Sequence, residues 1–142
     1  MVAEGCCSGG GGGVSTVQLV QSFTTNAEPT ISSTSYADVS GHQVTLPSDG
    51  KQYLVIAEPS ITNESGVANT VGCAFSDGTL VDVGERRFYN QASGIALPAT
   101  YAYVFQGNGQ TVKCRCKVSN NSCRWASGSI YGQGRILVIR LN

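Results

Sequence analysis

The stretch Thr111-Val112-Lys113-Cys114-Arg115-Cys116-Lys117-Val118-Ser119 decides the reading of this chain. Valine and cysteine occupy the even positions, and Lys, Arg and Lys alternate between them. A period of two places the apolar set on one face of a strand and the cations on the other, one face dry and one wet. Cys114 and Cys116 then point the same way, about 7 Å apart, too far for an easy bond within one strand. The Lys-Arg-Lys row reads as a solvated outer face that discourages edge-to-edge pairing.

Short apolar or alternating runs separated by turn residues continue in both directions. Residues 17–23, 36–39, 43–46, 52–57, 71–75, 79–83, 86–89, 100–106, 125–131 and 135–141 read as strands, with 95–97 a weaker candidate. Pro47-Ser48-Asp49-Gly50, Asp77-Gly78, Gly107-Asn108-Gly109 and Asn120-Asn121 supply the turns. Residues 79–83 are expected to return across Asp77-Gly78 as a hairpin, and 63–69 reads as a loop. Val, Ile and Thr together outnumber Ala, Leu, Glu, Lys and Met, and glycine accounts for 18 of 142 residues. That composition builds strands and turns more readily than helices. The expected class is all-β, an antiparallel β-sandwich of eight to ten strands in one domain over residues 17–142. Residues 1–16, with an unbroken glycine run from Gly9 to Gly13, read as a flexible N-terminal arm.

Some strands do not alternate. Tyr53-Leu54-Val55-Ile56-Ala57 and Ile136-Leu137-Val138-Ile139 are apolar on both faces, and Tyr101, Tyr103 and Phe105 stack opposite Ala102 and Val104. In a two-layer sandwich one face of each sheet meets water, so a strand apolar on both sides needs a second cover. Without helices to supply it, another copy of the chain is the natural cover, and self-association is expected.

Tyr103-Val104-Phe105-Gln106, a glycine turn, the alternating strand from Thr111 and the closing strand at 135–141 together resemble the C-terminal half of tumour-necrosis-factor-like jelly rolls. The resemblance is one of strand order and texture over residues 17–142. It implies a jelly-roll topology and a tight homotrimer with the last strand near the axis. On that basis the expected interface residues are Tyr53, Val55, Tyr101, Tyr103, Phe105, Ile136, Val138 and Arg140. The Gly/Ser-rich arm, the Gly50-Lys51-Gln52-Tyr53 opening to an apolar strand and the low charge are similar to small virion proteins of tailed bacteriophages. These include capsid cement or decoration proteins and fibre heads. The resemblance implies a structural virion protein, assembled in the host cytoplasm, whose partners are its own copies and the major capsid protein or other virion proteins. Cys6, Cys7, Gly9 and Gly13 would then belong to a capsid-attachment arm. The alternative is a fibre or receptor-binding head that recognises a host-surface glycan through loop tips at 63–69 or 120–125, with Trp125 as its platform.

Charge and motifs argue against other classes. Nine Lys plus Arg balance nine Asp plus Glu, so the formal net charge is zero. Phosphate backbones and anionic membranes call for a basic excess, and neither partner is expected. No apolar run approaches the eighteen residues of a membrane-spanning helix. The N-terminus has neither the basic nor the apolar region of a secretory signal, so thiols are expected to stay reduced. The six cysteines lack two pairs at zinc-knuckle spacing. His42, the only histidine, has no nucleophile motif beside it and reads as a turn residue. No cofactor, metal or enzymatic activity is expected.

Overall fold

A computed structural model describes residues 18–25, 29–64, 66–91, 94, 96–126 and 134–141. These residues form twelve strands: β1 (Gln18–Thr25), β2 (Thr30–Ile31), β3 (Ala37–Thr45), β4 (Ser48–Glu58), β5 (Ser60–Asn63), β6 (Asn69–Ser76), β7 (Val83–Asn90), β8 (Ala96–Pro98), β9 (Tyr101–Asn108), β10 (Thr111–Val118), β11 (Cys123–Ala126) and β12 (Gly134–Arg140). They make three four-stranded antiparallel sheets, ordered β1-β12-β4-β9, β3-β10-β6-β7 and β2-β11-β5-β8. The all-β antiparallel class read from the sequence stands, and the layering is consistent with a β-sandwich.

The pairing obeys a simple rule. β1 pairs with β12, β2 with β11, β3 with β10, β4 with β9, β5 with β8 and β6 with β7, always antiparallel. The first six strands thus lie against the last six as one long hairpin. Further pairings, β12 with β4, β10 with β6 and β11 with β5, wind that hairpin into sheets.

One core serves all three sheets. Val55, Tyr101, Phe105, Ile136 and Val138 meet Val71, Phe75, Val112, Cys114 and Cys116, and Ile61, Cys123 and Trp125 close the end. The Phe75 ring lies 4.5 Å from Tyr101 and 6.0 Å from Phe105, and Trp125 stands edge-on to Tyr101. Each such side chain contributes about 1.5–3 kcal/mol by leaving water. The alternation of β10 is as read: Val112, Cys114, Cys116 and Val118 are buried, while Lys113, Arg115 and Lys117 face outward.

Several boundaries differ from the sequence reading. The two short strands expected at 36–39 and 43–46 are one strand, β3. Gly41, at φ +74°, forms a bulge within it rather than a turn, and the register slips there against β10. The hairpin expected at 79–83 is a loop over 77–82. Asp77 Oδ1 accepts the N–H groups of Thr79 and Leu80 at 3.0 and 2.7 Å, so pairing resumes only at Phe75 opposite Val83. Gly84, between the strands expected at 79–83 and 86–89, lies inside β7. Its φ is +68°, and a Cβ there would come within 3.0 Å of the Ala102 carbonyl, so glycine lets β7 close onto β9. Of the strand expected over 125–131, residues 125–126 lie in β11, and residues 127–131 lie outside the described residues. The short strands β2 and β5 were not anticipated.

Candidate interaction surface

The burial pattern sorts the expected interface residues. Tyr53, Val55, Tyr101, Phe105, Ile136 and Val138 are all buried inside the single chain. They face the opposing sheet, so a partner cannot reach them. Tyr103 is half-buried and packs on the same core, its ring 5.0 Å from Phe105. Arg140 is half-buried and pairs in register with Tyr53. Cys6, Cys7, Gly9 and Gly13 lie outside the described residues. The strands chosen from the sequence are doubly apolar as read, but their outward parity is the other one.

That outward face is built by register. Leu19, Ile139, Leu54 and Val104 form one row across β1, β12, β4 and β9. Leu137, Ile56 and Ala102 form the next across β12, β4 and β9. Leu19 is 57% and Val104 41% exposed, while Leu54, Ile56, Leu137 and Ile139 are half-buried. Paired residues of an antiparallel sheet point to the same side with Cβ atoms about 5 Å apart, so the rows are contiguous. An ion pair between Arg135 and Glu58 caps the face at one end. Val20, at the bulge of β1 and 42% exposed, adds to its edge.

The outer face of the β3-β10-β6-β7 sheet has the opposite character. Lys113 bonds Asp38 at 2.8 Å, Arg115 reaches Asp38 at 3.2 Å and Asp82 at 2.5 Å, and Lys117 lies 3.7 Å from Glu85. Glu85 also holds Arg87 at 2.9 Å, and this guanidinium keeps its carboxyl below the usual range. The Lys117 ammonium sits 4.2 Å over the Tyr36 ring. An open groove of about 370 Å³ runs past Thr34, Thr70, Gly72, Arg87, Lys117 and Ser119. Its two cations, Arg87 and Lys117, share the single Glu85 carboxylate, so the groove keeps one positive charge in excess. Along this face the row of cations is neutralised locally.

The end that carries residues 66–68 and 119–122 is pinned from inside. Asn69 is fully buried. Its Oδ1 accepts the N–H groups of Ser119 and Asn120 and the Ser119 hydroxyl, and its Nδ2 donates to the Asn120 carbonyl and to Cys123 Sγ. Asn63, also buried, donates to the carbonyls of Val67 and Asn90. Trp125 is 1% exposed, packed 5.1 Å from the His42 ring. It lies in the core and presents no surface to a glycan. Burial lowers the His42 pKa, and its Nδ1 lies 2.8 Å from the Ser40 carbonyl. Burial pushes the Cys114 thiol up to about 12 and Cys123 to about 11, so both are protonated core groups. Among the described residues no group of three or more His, Cys, Asp or Glu could hold a metal ion.

No family model matches this chain, and a search of curated proteins returns no match.

Proposed function

We propose that this chain is a structural protein that acts by self-association: a homotrimeric jelly roll of the tumour-necrosis-factor-like kind, serving as a cement or decoration protein on a phage head shell. The observation that carries the reading is the pair of aliphatic rows on the outward face of the β1-β12-β4-β9 sheet. Seven apolar residues stand there in register with no layer of the described residues over them. A contiguous apolar face of this kind marks an interface rather than scattered surface aliphatics. The end-to-end pairing of the strands supports the jelly-roll part, since that fold is a long antiparallel hairpin wound into two sheets. The locally neutralised opposite face suits a protein that meets other proteins rather than nucleic acid.

On a shell, the mechanism is mass action. A protein that binds only the assembled lattice adds its binding free energy to that lattice. Three arms on one trimer would raise a weak single contact through effective concentration. The glycan-binding alternative loses its aromatic platform with the burial of Trp125.

The test is the solution mass by light scattering, in reducing buffer, of the full-length chain and of Val104→Glu. Val104 is exposed in the single chain, so a charge there costs the monomer about 0.5 kcal/mol or less. The expected result is three times the 14.8 kDa chain mass for the parent, and the chain mass for the variant with its strand spectrum intact. A monomeric parent overturns the reading. So does a variant that associates as well as the parent. For the trimer, co-sedimentation with intact phage heads tests the shell role, and removal of residues 2–13 should abolish binding while leaving the trimer.

A further inference from the structure

Cys73 and Cys116 stand directly opposite each other where β6 pairs with β10. Both are fully buried, and their Sγ atoms are 3.1 Å apart, closer than an ordinary non-bonded sulfur contact. Directly opposed residues of an antiparallel pair have Cα atoms about 4.5 or 5.5 Å apart, and both spacings fall within the range a disulfide spans. Joining the sulfurs needs a movement of roughly 1 Å, which side-chain rotation supplies without shifting either strand. The other two buried thiols are placed differently. Cys123 Sγ accepts from Asn69 Nδ2 at 3.3 Å, and Cys114 stands opposite Phe75.

We propose that Cys73 and Cys116 form a disulfide that bolts β6 to β10, with a small-molecule disulfide such as oxidised glutathione as the oxidant. One cysteine, as thiolate, attacks the oxidant and releases one reduced thiol. The second cysteine then attacks the mixed disulfide and releases another. The two protons lost from the cysteines end on the two released thiols, and the two electrons reduce the small-molecule disulfide. The exchange takes place as the chain folds, before the β1-β12-β4-β9 sheet covers the pair. Burial afterwards keeps reductants from the bond. This step is independent of the proposed role on a shell.

Trypsin makes the bond readable, because Lys113, Arg115 and Lys117 separate the neighbouring thiols. Cys73 falls in a peptide of residues 52–86, Cys114 in 114–115, Cys116 in 116–117 and Cys123 in 118–124. The full chain is refolded from denaturant in a glutathione redox buffer, its free thiols are alkylated in denaturant, and the unreduced digest is read by mass spectrometry. The expected product is peptide 52–86 linked to 116–117, lighter than the two thiol peptides by two hydrogens. The oxidised chain should melt about 10 °C above the reduced one. Cys116→Ala should remove that difference. Four singly alkylated peptides, or a link from Cys73 to 114–115 or 118–124, would overturn the proposal. The wild-type digest decides the matter even if the variant folds poorly.

Discussion

His42 occupies a turn-like sequence, Ser40-Gly41-His42, yet its ring is 2% exposed and packs edge-on against Trp125. The Gly41 bulge swings it inward. Burial holds its pKa below the ordinary 6.5, against the smaller opposing effect of the Ser40 carbonyl. In the range between that lowered pKa and 6.5, the unfolded chain binds the proton and the folded chain does not. The stability His42 contributes is therefore complete above pH 6.5 and lost as pH falls below it, by at most about 1.4 kcal/mol per pH unit. Thermal melts of His42→Gln should lose this slope between pH 6.5 and the folded pKa, whatever their offset from the parent. An unchanged slope would assign the acid sensitivity elsewhere. Gly84 makes a second residue-scale case. Alanine there meets both a left-handed φ and the Ala102 carbonyl, so Gly84→Ala should cost about 2–3 kcal/mol in denaturant unfolding. A cost under about 0.5 kcal/mol would mean that β7 does not press on β9 as described.

At the scale of elements, the sequence was legible where a strand's own period carries the information. The alternation at 111–119 gave the two faces of β10, and the doubly apolar runs gave β4 and β12. Parity could not say which side of β4, β9 and β12 the second sheet covers, because both sides carry hydrocarbon. Tyr53, Val55 and Ile136 therefore looked like interface residues, and only the packing places them in the core. Two of the misread boundaries share a cause: Gly41 and Gly84 at positive φ serve as bulges inside strands, although glycine in sequence usually signals a turn. The two- and four-residue strands β2 and β5 are set by tertiary pairing and have no period long enough to see, and the three-residue β8 showed only as the weaker candidate at 95–97. Asn69 had no signal beyond its residue type, since an asparagine in a loop normally caps a turn in water. Here it holds five polar groups of the 119–123 segment. Asn69→Ala should leave the Asn120 N–H and carbonyl short of partners, while the Ser119 N–H keeps the Thr70 carbonyl, and should cost about 1–3 kcal/mol. Hydrogen exchange at Asn120 should accelerate before that of β12, β4, β10 and β6, whose backbones are paired on both sides. Uniform acceleration across the sheets would show that Asn69 supports the whole core rather than one loop.

At the scale of the molecule, two of the three sheets, β3-β10-β6-β7 and β1-β12-β4-β9, differ in the character of their outer faces. On the outer face of one, cations and carboxylates satisfy each other within the chain: Arg115 with Asp38 and Asp82, Lys117 with Glu85. On the outer face of the other, the rows Leu19-Ile139-Leu54-Val104 and Leu137-Ile56-Ala102 present hydrocarbon, with the Arg135–Glu58 pair at one rim and the Gln52–Gln106 pair at the other. If copies of the chain meet on that face, the driving force is apolar burial, which is entropic near room temperature and insensitive to screening. Association should then hold between about 0.05 and 1 M sodium chloride, where the Debye length falls from over 10 Å to about 3 Å. It should strengthen in sulfate and show a negative heat-capacity change by calorimetry. Binding through charged loops would behave oppositely, weakening steeply as salt rises. A dissociation constant that climbs tenfold over that salt range would move the interface from the aliphatic sheet to the ion-paired one.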